Sequence, residues 1–257
     1  MAISQHSLIG RLLHERTLAR WRRAARNAGN AELGSLRTQR KQARQLFASL
    51  QELAHVADAR LALPRIGSTT FPRPAGTDWS WRPKAWRSTY IGGGAAPAEN
   101  KSGVGDELTL FHDCPQSEVT LRQIRNKGEA DFAPFGLTLE VFHFAGSFLS
   151  LVIEVPPASC NGLQKRHLIQ LGAAIDREAP ITIHARLNVK HGPNVEQILM
   201  TLPDEGGDVA VEFDLAYSQL NEKRAERMWI DLMFENPSMN RIALRDINLS
   251  RHPRAEI

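Results

Sequence analysis

The chain is poor in several features that mark particular protein classes. It has two cysteines in 257 residues, Cys114 and Cys160, which are too few for a disulfide framework and favour a reduced compartment. Its most apolar run, residues 141–155, is interrupted by His143 and Glu154 and is too short to cross a bilayer as a helix. No apolar core typical of a signal peptide follows the first residues, because arginines interrupt it. We therefore expect a soluble, cytoplasmic protein.

The common catalytic and metal-binding spacings are also missing. The sequence contains no G-x-S-x-G elbow, no P-loop and no H-E-x-x-H pair. His112 and Cys114 would share one side of a strand, but no base or oxyanion site can be named beside them. Cys160 has no histidine at metal-ligand spacing. The sequence thus names no catalytic residue, leaves an enzyme undecided, and leans against one.

Negative charge is scarce at the start of the chain. Residues 1–63 hold eleven Lys or Arg and four acids, a net charge of +7, which leaves −3 for the remainder of a chain whose total is +4. Apolar residues recur at helical spacing over 7–27 and 36–61, which predicts two helices. We call residues 1–63 the basic arm.

Five of the six arginines in the first predicted helix suit an anionic membrane surface or another polyanion. They are Arg16, Arg20, Arg22, Arg23 and Arg26. A solvated face of a helix packed on its neighbour is the alternative. No nucleic-acid-binding motif accompanies them, so a nucleic acid is not the expected partner.

Residues 64–105 alternate prolines with glycines and predict a connector. This stretch nevertheless carries an aromatic cluster with basic residues between its members, which predicts a ligand site. The cluster is Trp79, Trp81, Trp86 and Tyr90, with Arg82 interleaved. Flat rings of this kind stack on sugars or bases, whereas the alternative is that the segment is packed onto the neighbouring domain.

After residue 105 the sequence predicts about ten short strands and almost no helix. Period-two alternation and turn residues recur along this part of the chain, and 136–144 with 147–155 is interpreted as a hairpin around Ala145 and Gly146. Many short antiparallel strands of uneven spacing favour a jelly-roll β-sandwich over residues 106–257. The predicted fold class is therefore mainly β, with an N-terminal helical extension.

Three stretches carry a resemblance to known domains. They are the inner strand 185–189, the segment 211–217 and the closing strand 242–250 with its central acid, Asp246. On these, residues 137–251 resemble the jelly roll of carbohydrate-binding modules and galactose-binding-like domains. The whole chain is similar to an alphaproteobacterial family of unknown function. The resemblance implies binding rather than catalysis, and it implies that Asp246 sits where such modules hold a structural calcium.

Other polar groups extend this interpretation. Asn188 and His191, at the end of one strand, can hydrogen-bond sugar hydroxyls. Acids in the loop 204–208 can join Asp246 as oxygen ligands of calcium, although a loop of this composition is also ordinary turn chemistry. No other cofactor is expected, and the sequence does not set the oligomeric state.

Two functions remain open at this point. The first is a non-catalytic module that binds a saccharide or another polyhydroxylated ligand. The second is a structural or protein-interaction domain, tethered by the basic arm to an anionic membrane surface, which would place it at the inner membrane.

Overall fold

The computed structural model describes residues 8–61, 71–90, 94–128, 130–204 and 207–254. Contacts within the chain divide it into two units, Met1–Ala54 and His55–Ile257. The first unit is helical, and the second contains every strand of the described residues.

The helices of the basic arm follow the predicted periodicity. They are α1, Leu8–Asn27, a 3-10 turn, Ala28–Asn30, and α2, Leu33–Leu61. None of the arm's described side chains is buried, and Leu50 on α2 is 55% exposed. The described part of the arm therefore does not form a hydrophobic core of its own. No helix in the described residues is both long and apolar enough to cross a membrane.

The second unit consists of strands with a few short helical turns. The strands are β1 Trp79–Trp81, β2 Gly94–Ala95, β3 Ser102–Val104, β4 Leu108–His112, β5 Val119–Arg125, β6 Phe135–Val141, β7 Leu149–Val155, β8 His167–Arg177, β9 Ile183–His191, β10 Asn194–Thr201, β11 Gly207–Asp214, β12 Ala225–Phe234 and β13 Asn240–Pro253. The turns are α3 Lys84–Arg87 and the 3-10 turns Pro157–Cys160, Leu215–Tyr217 and Glu222–Arg224. The ten strands from β4 onward agree with the number predicted.

The strands form two antiparallel sheets. Sheet A has seven strands in the order β11-β8-β13-β6-β5-β2, with β1 pairing on β13. Sheet B has six in the order β10-β9-β12-β7-β4-β3. Strands that are neighbours in sequence, such as β8 and β9 or β12 and β13, occupy corresponding positions in the two orders. This repeated crossing between two sheets is the jelly-roll sandwich that the sequence predicts.

The predicted hairpin around Ala145 and Gly146 is wrong. β6 pairs with β5 and β13 in sheet A, whereas β7 pairs with β4 and β12 in sheet B. Both strands bury one face in the shared core, so their alternation is what a hairpin would also show. The connection between them crosses from one sheet to the other.

The core lies between the sheets. Inward-facing side chains such as Leu151 and Ile230 of sheet B and Leu171 and Leu249 of sheet A are at most 1% exposed. Their burial supplies the main drive for folding this unit. Because the inner faces are filled with aliphatic side chains, polar groups on the same strands are directed to the outer faces, where a ligand can reach them.

Candidate binding groove on sheet B

The outer face of sheet B carries a tryptophan near its centre. Trp229, Asp231 and Met233 point outward from β12, because they alternate with buried apolar residues. In the sheet register Trp229 lies between Asn188 on β9 and Glu154 on β7. A half-buried indole therefore lies between polar neighbours on both adjacent strands.

Two loops wall this face into a groove of about 1120 Å³. One wall is the β6–β7 connection with Phe144 and Phe148, and the other is the turn 236–238 after β12. The walls are joined to each other, since Ser238 Oγ accepts a hydrogen bond from Phe144 N at 3.1 Å. The volume exceeds what a single small ring fills and lies at the upper end of small-molecule sites.

Asp231 is the centre of a hydrogen-bond network on the groove floor. Its side chain is buried, and its Oδ2 accepts from Arg186 Nε at 2.9 Å and Nη2 at 2.6 Å and from Asn188 Nδ2 at 3.1 Å. Gln197 Nε2 donates to Asn188 Oδ1 at 3.0 Å. Among the described residues Asp231 Oδ1 and Arg186 Nη1 have no hydrogen-bond partner. The ion pair thus offers one acceptor and one donor, and its neighbours hold it in place.

An arginine stacks on the groove's tryptophan. The guanidinium carbon of Arg227 lies 4.8 Å from the ring centroid of Trp229, within the range of a cation–π contact. Arg227 Nε also donates to Glu154 Oε2 at 2.9 Å, and this hydrogen bond raises the pKa of Arg227. The arginine is therefore held by both the indole and the carboxylate.

The wall formed by the β6–β7 connection is fixed by one carboxylate. Asp113 accepts hydrogen bonds from Ser147 Oγ at 2.6 Å and from the backbone N–H groups of Ser147 and Phe148. The Ser147 hydroxyl above all lowers the pKa of Asp113. Gly146 is needed at this point, since a Cβ there would meet Asp113 Oδ1 at 2.5 Å and Cys114 N at 2.9 Å.

The predicted aromatic cluster lies elsewhere, against sheet A. Trp79 and Trp81 are half-buried on β1 and pair with Arg251 and Leu249 of β13. Trp86 is 0% exposed and donates its Nε1 proton to Leu244 O at 2.9 Å. The prediction that Trp86 stacks on a ligand is therefore wrong, because no face of its ring reaches solvent.

Arg82 and Asp246 are partners in a buried ion pair. Arg82 is 2% exposed, and its Nε and Nη2 donate to the two oxygens of Asp246 at 2.8 and 2.7 Å. Arg82 therefore does not face a ligand, and both oxygens of Asp246 are engaged by a cation rather than open to calcium. Of the loop acids proposed as further ligands, Glu205 lies outside the described residues. Among the described residues no group of three or more His, Cys, Asp or Glu is arranged to hold a metal.

The remaining residues predicted to bind a ligand lie in different parts of the structure. Asn188 lies in the groove network described above. His191 is buried on the inner side of β9, where its Nδ1 accepts from Asn221 N at 3.3 Å. Tyr90 is partly buried against the core, next to Gly105. The five arginines predicted to contact a polyanion are exposed on α1, and that contact stays a prediction.

The sequence interpretation missed Trp229, Asp231 and Arg186. A signal was present, because Trp229, Asp231 and Met233 alternate along one strand and must share a face. Which sheet that face belongs to, and that loops wall it, depends on pairing between distant strands.

Comparison with protein families gives one full-length match. A model described as a family of unknown function (DUF6478) matches residues 1–257. No curated protein matches the chain.

Among solved structures the chain is similar to carbohydrate-binding modules with the jelly-roll fold. A family 11 module from Clostridium thermocellum in complex with a beta-1,3-1,4-mixed-linked tetrasaccharide shares 12% identity at a TM-score of 0.39, over 64% of this chain and 97% of that one. The CBM22-1 xylan-binding domain of Paenibacillus barcinonensis Xyn10C shares 8% identity at a TM-score of 0.36, over 60% of this chain and 92% of that one. The enzymatically active domain of a bacteriophage CBA120 tailspike shares 12% identity at a TM-score of 0.40, over 56% of this chain. The match spans about a fifth of the tailspike chain, 19%.

Proposed function

We propose that this chain, which belongs to the family of unknown function DUF6478, is a non-catalytic binding module that holds a saccharide in the groove on sheet B. The observation that carries the proposal is the placement of Trp229 beside the ion pair of Asp231 and Arg186. An indole supplies a flat apolar surface for the C–H face of a sugar ring, and here the sugar would use the part of the ring that Arg227 leaves exposed. The carboxylate and guanidinium next to it can accept from and donate to vicinal hydroxyls.

Preorganisation supports the same proposal. Asn188 and Gln197 orient Asp231 and Arg186 before any ligand arrives, and Asp113 holds the adjoining wall. Groups held in place by their neighbours lose little conformational entropy on binding, which favours affinity. Rigid strands rather than loops carry the polar contacts, which favours a defined ligand orientation.

Replacing Trp229 with alanine tests the proposal. We expect the affinity for a saccharide that the native chain binds to fall about thirtyfold in the Trp229→Ala variant. This corresponds to a loss of about 2 kcal/mol, which is typical of a central aromatic contact. A panel of soluble polysaccharides in affinity electrophoresis identifies the ligand, and calorimetry measures the change. Trp79→Ala is the matched control, because this tryptophan is also half-buried but lies on β1 against sheet A. Equal weakening by both variants, or no saccharide bound by the native chain, would contradict the proposal.

A second candidate function is a tether to an anionic membrane surface. It is supported by the exposure of the five arginines of α1 named above, with Leu18 40% exposed on the same helix. Each basic group near such a surface contributes about 1 kcal/mol. We expect the full chain to co-sediment with vesicles that contain anionic lipid. A variant with Arg16, Arg20, Arg22, Arg23 and Arg26 changed to glutamine should remain in the supernatant, and equal sedimentation of the two proteins would rule out the tether.

A further inference from the structure

We infer that the groove on sheet B takes an uncharged saccharide chain rather than an acidic or basic one. This inference rests on the proposed function, because it names the ligand class of the same site. It is carried by the way the charges of the outer face are paired.

Every arginine and lysine on β7, β9 and β12 has an acidic partner on the same face. Arg186 Nη2 lies 2.6 Å from Asp231 Oδ2, and Lys190 Nζ lies 3.5 Å from Glu226 Oε2. Arg227 donates to both carboxylate oxygens of Glu154, from Nε to Oε2 and from Nη2 to Oε1. The three strands contain these three cations and these three acids, so the formal charge of this part of the face is zero.

At the edge of the groove a histidine is likewise held by its neighbours. His184 Nε2 lies 3.0 Å from Glu235 Oε1, and its Nδ1 lies 3.0 Å from Thr201 Oγ1. Both ring nitrogens are therefore engaged within the chain. A carboxylate or sulfate of an acidic sugar that approached one of these cations would also meet the acid paired with it, and like charges repel.

Neutral hydroxyls fit the atoms that remain open. A hydroxyl both donates and accepts, so adjacent hydroxyls can bond to Asp231 Oδ1 and Arg186 Nη1 without breaking the ion pair. The polar network continues across the strands through Asn188 to Gln197 on β10. From β9 to β4 the groove crosses three strand spacings, or about 14 Å, which exceeds one sugar ring and favours a chain of several units.

The contrast with the basic arm makes the inference testable. The arm carries a net charge of +7 and will attract acidic polymers whatever the groove binds. Binding through the arm depends on salt and not on Trp229. Binding through the groove depends on Trp229 and, for an uncharged ligand, very little on salt.

The experiment measures full-length protein against neutral and acidic polysaccharides between about 0.05 and 0.5 M NaCl. The neutral set is mixed-linked glucan, xylan and mannan, and the acidic set is alginate and polygalacturonate. The native chain and Trp229→Ala are compared throughout. We expect a Trp229-dependent affinity for a neutral polymer that changes less than about twofold over this range of salt.

Three results would overturn the inference, and they separate it from the proposed function. Trp229-dependent binding confined to acidic polymers, or Trp229-dependent binding that falls steeply with salt, overturns the inference and leaves saccharide binding intact. The absence of Trp229-dependent binding to any polymer overturns both.

A gain-of-binding variant gives an independent measurement. Glu154→Gln removes the acid that neutralises Arg227 while keeping the size of the side chain. We expect the groove to acquire an affinity for alginate that Trp229→Ala removes and that salt weakens, because an unpaired guanidinium then stands on the indole. No increase over the native chain would show that ion pairing does not set the ligand's charge.

Discussion

The Arg82→Ala variant is expected to lose about 3–5 kcal/mol of unfolding free energy, the usual cost of leaving one partner of a buried ion pair alone. Arg82 is 2% exposed and bonds both oxygens of Asp246, which is itself buried. Its guanidinium also lies 4.9 Å from the ring centroid of Phe71. Denaturant unfolding followed by circular dichroism measures the change.

The pH dependence of this variant follows from Asp246. Burial raises the pKa of Asp246 above its ordinary value of 3.8, and the hydrogen bonds from Arg82 oppose this rise. Between the two values the folded chain binds more protons than the unfolded chain, so the free energy of unfolding falls as pH rises through that interval. Without Arg82 the opposing hydrogen bonds disappear and the interval widens upward. The variant should therefore regain stability as the pH is lowered.

A second substitution separates the charge from the packing. In the Arg82→Ala background, Asp246→Asn removes the buried carboxylate and should abolish the additional pH dependence. It should also recover part of the lost stability, because a neutral amide costs less to bury than an unpaired charge. A pH profile that stays unchanged by the second substitution would contradict the role assigned to Asp246.

The Trp86→Ala variant is expected to lose a similar amount, about 3–5 kcal/mol. The indole is fully buried among core residues, and its loss leaves a large cavity and removes the hydrogen bond from Nε1 to Leu244 O. Thermal and denaturant unfolding measure the effect. Trp79→Ala is the control. It should lower the free energy of unfolding by less, because Trp79 is half-buried and part of its ring already contacts water.

Trp86 also provides a test of where ligand binding occurs. Trp86→Phe keeps most of the buried volume and should leave saccharide affinity unchanged under conditions where the protein is folded. A loss of affinity in a folded Trp86→Phe protein would place the site at sheet A and contradict the groove on sheet B.

The contacts of Arg82 and Trp86 indicate a structural role for the segment that precedes the main strands. At Leu244 and Asp246 the register of β13 against β8 shifts by a β-bulge. Trp86 and Arg82 bind the backbone and side chain at this point. Such bulges interrupt regular pairing, and the groups that the interruption leaves open need other partners. The aromatic segment 79–86 thus supplies those partners for sheet A.

Local periodicity made much of the fold predictable. The spacing of apolar residues over 36–61 predicted α2, and the alternation after residue 105 predicted the number of strands from β4 onward. Both patterns reflect how one element exposes and buries its own side chains. The pairing of β6 and β7 was not predictable in this way, because alternation shows that a strand has a buried face but not which strands lie beside it.

The sequence by itself determined that this chain has a basic helical arm and a β-sandwich of about ten strands from residue 105 onward, since charge and periodicity are local properties. Only the tertiary structure decided which tryptophans reach a ligand. Trp86 is buried by a contact with β13, more than 150 residues away in sequence, whereas Trp229 stays half-buried on the outer face of sheet B, between Asn188 on β9 and Glu154 on β7. Both outcomes depend on pairing between distant strands, and no short stretch of sequence records that pairing.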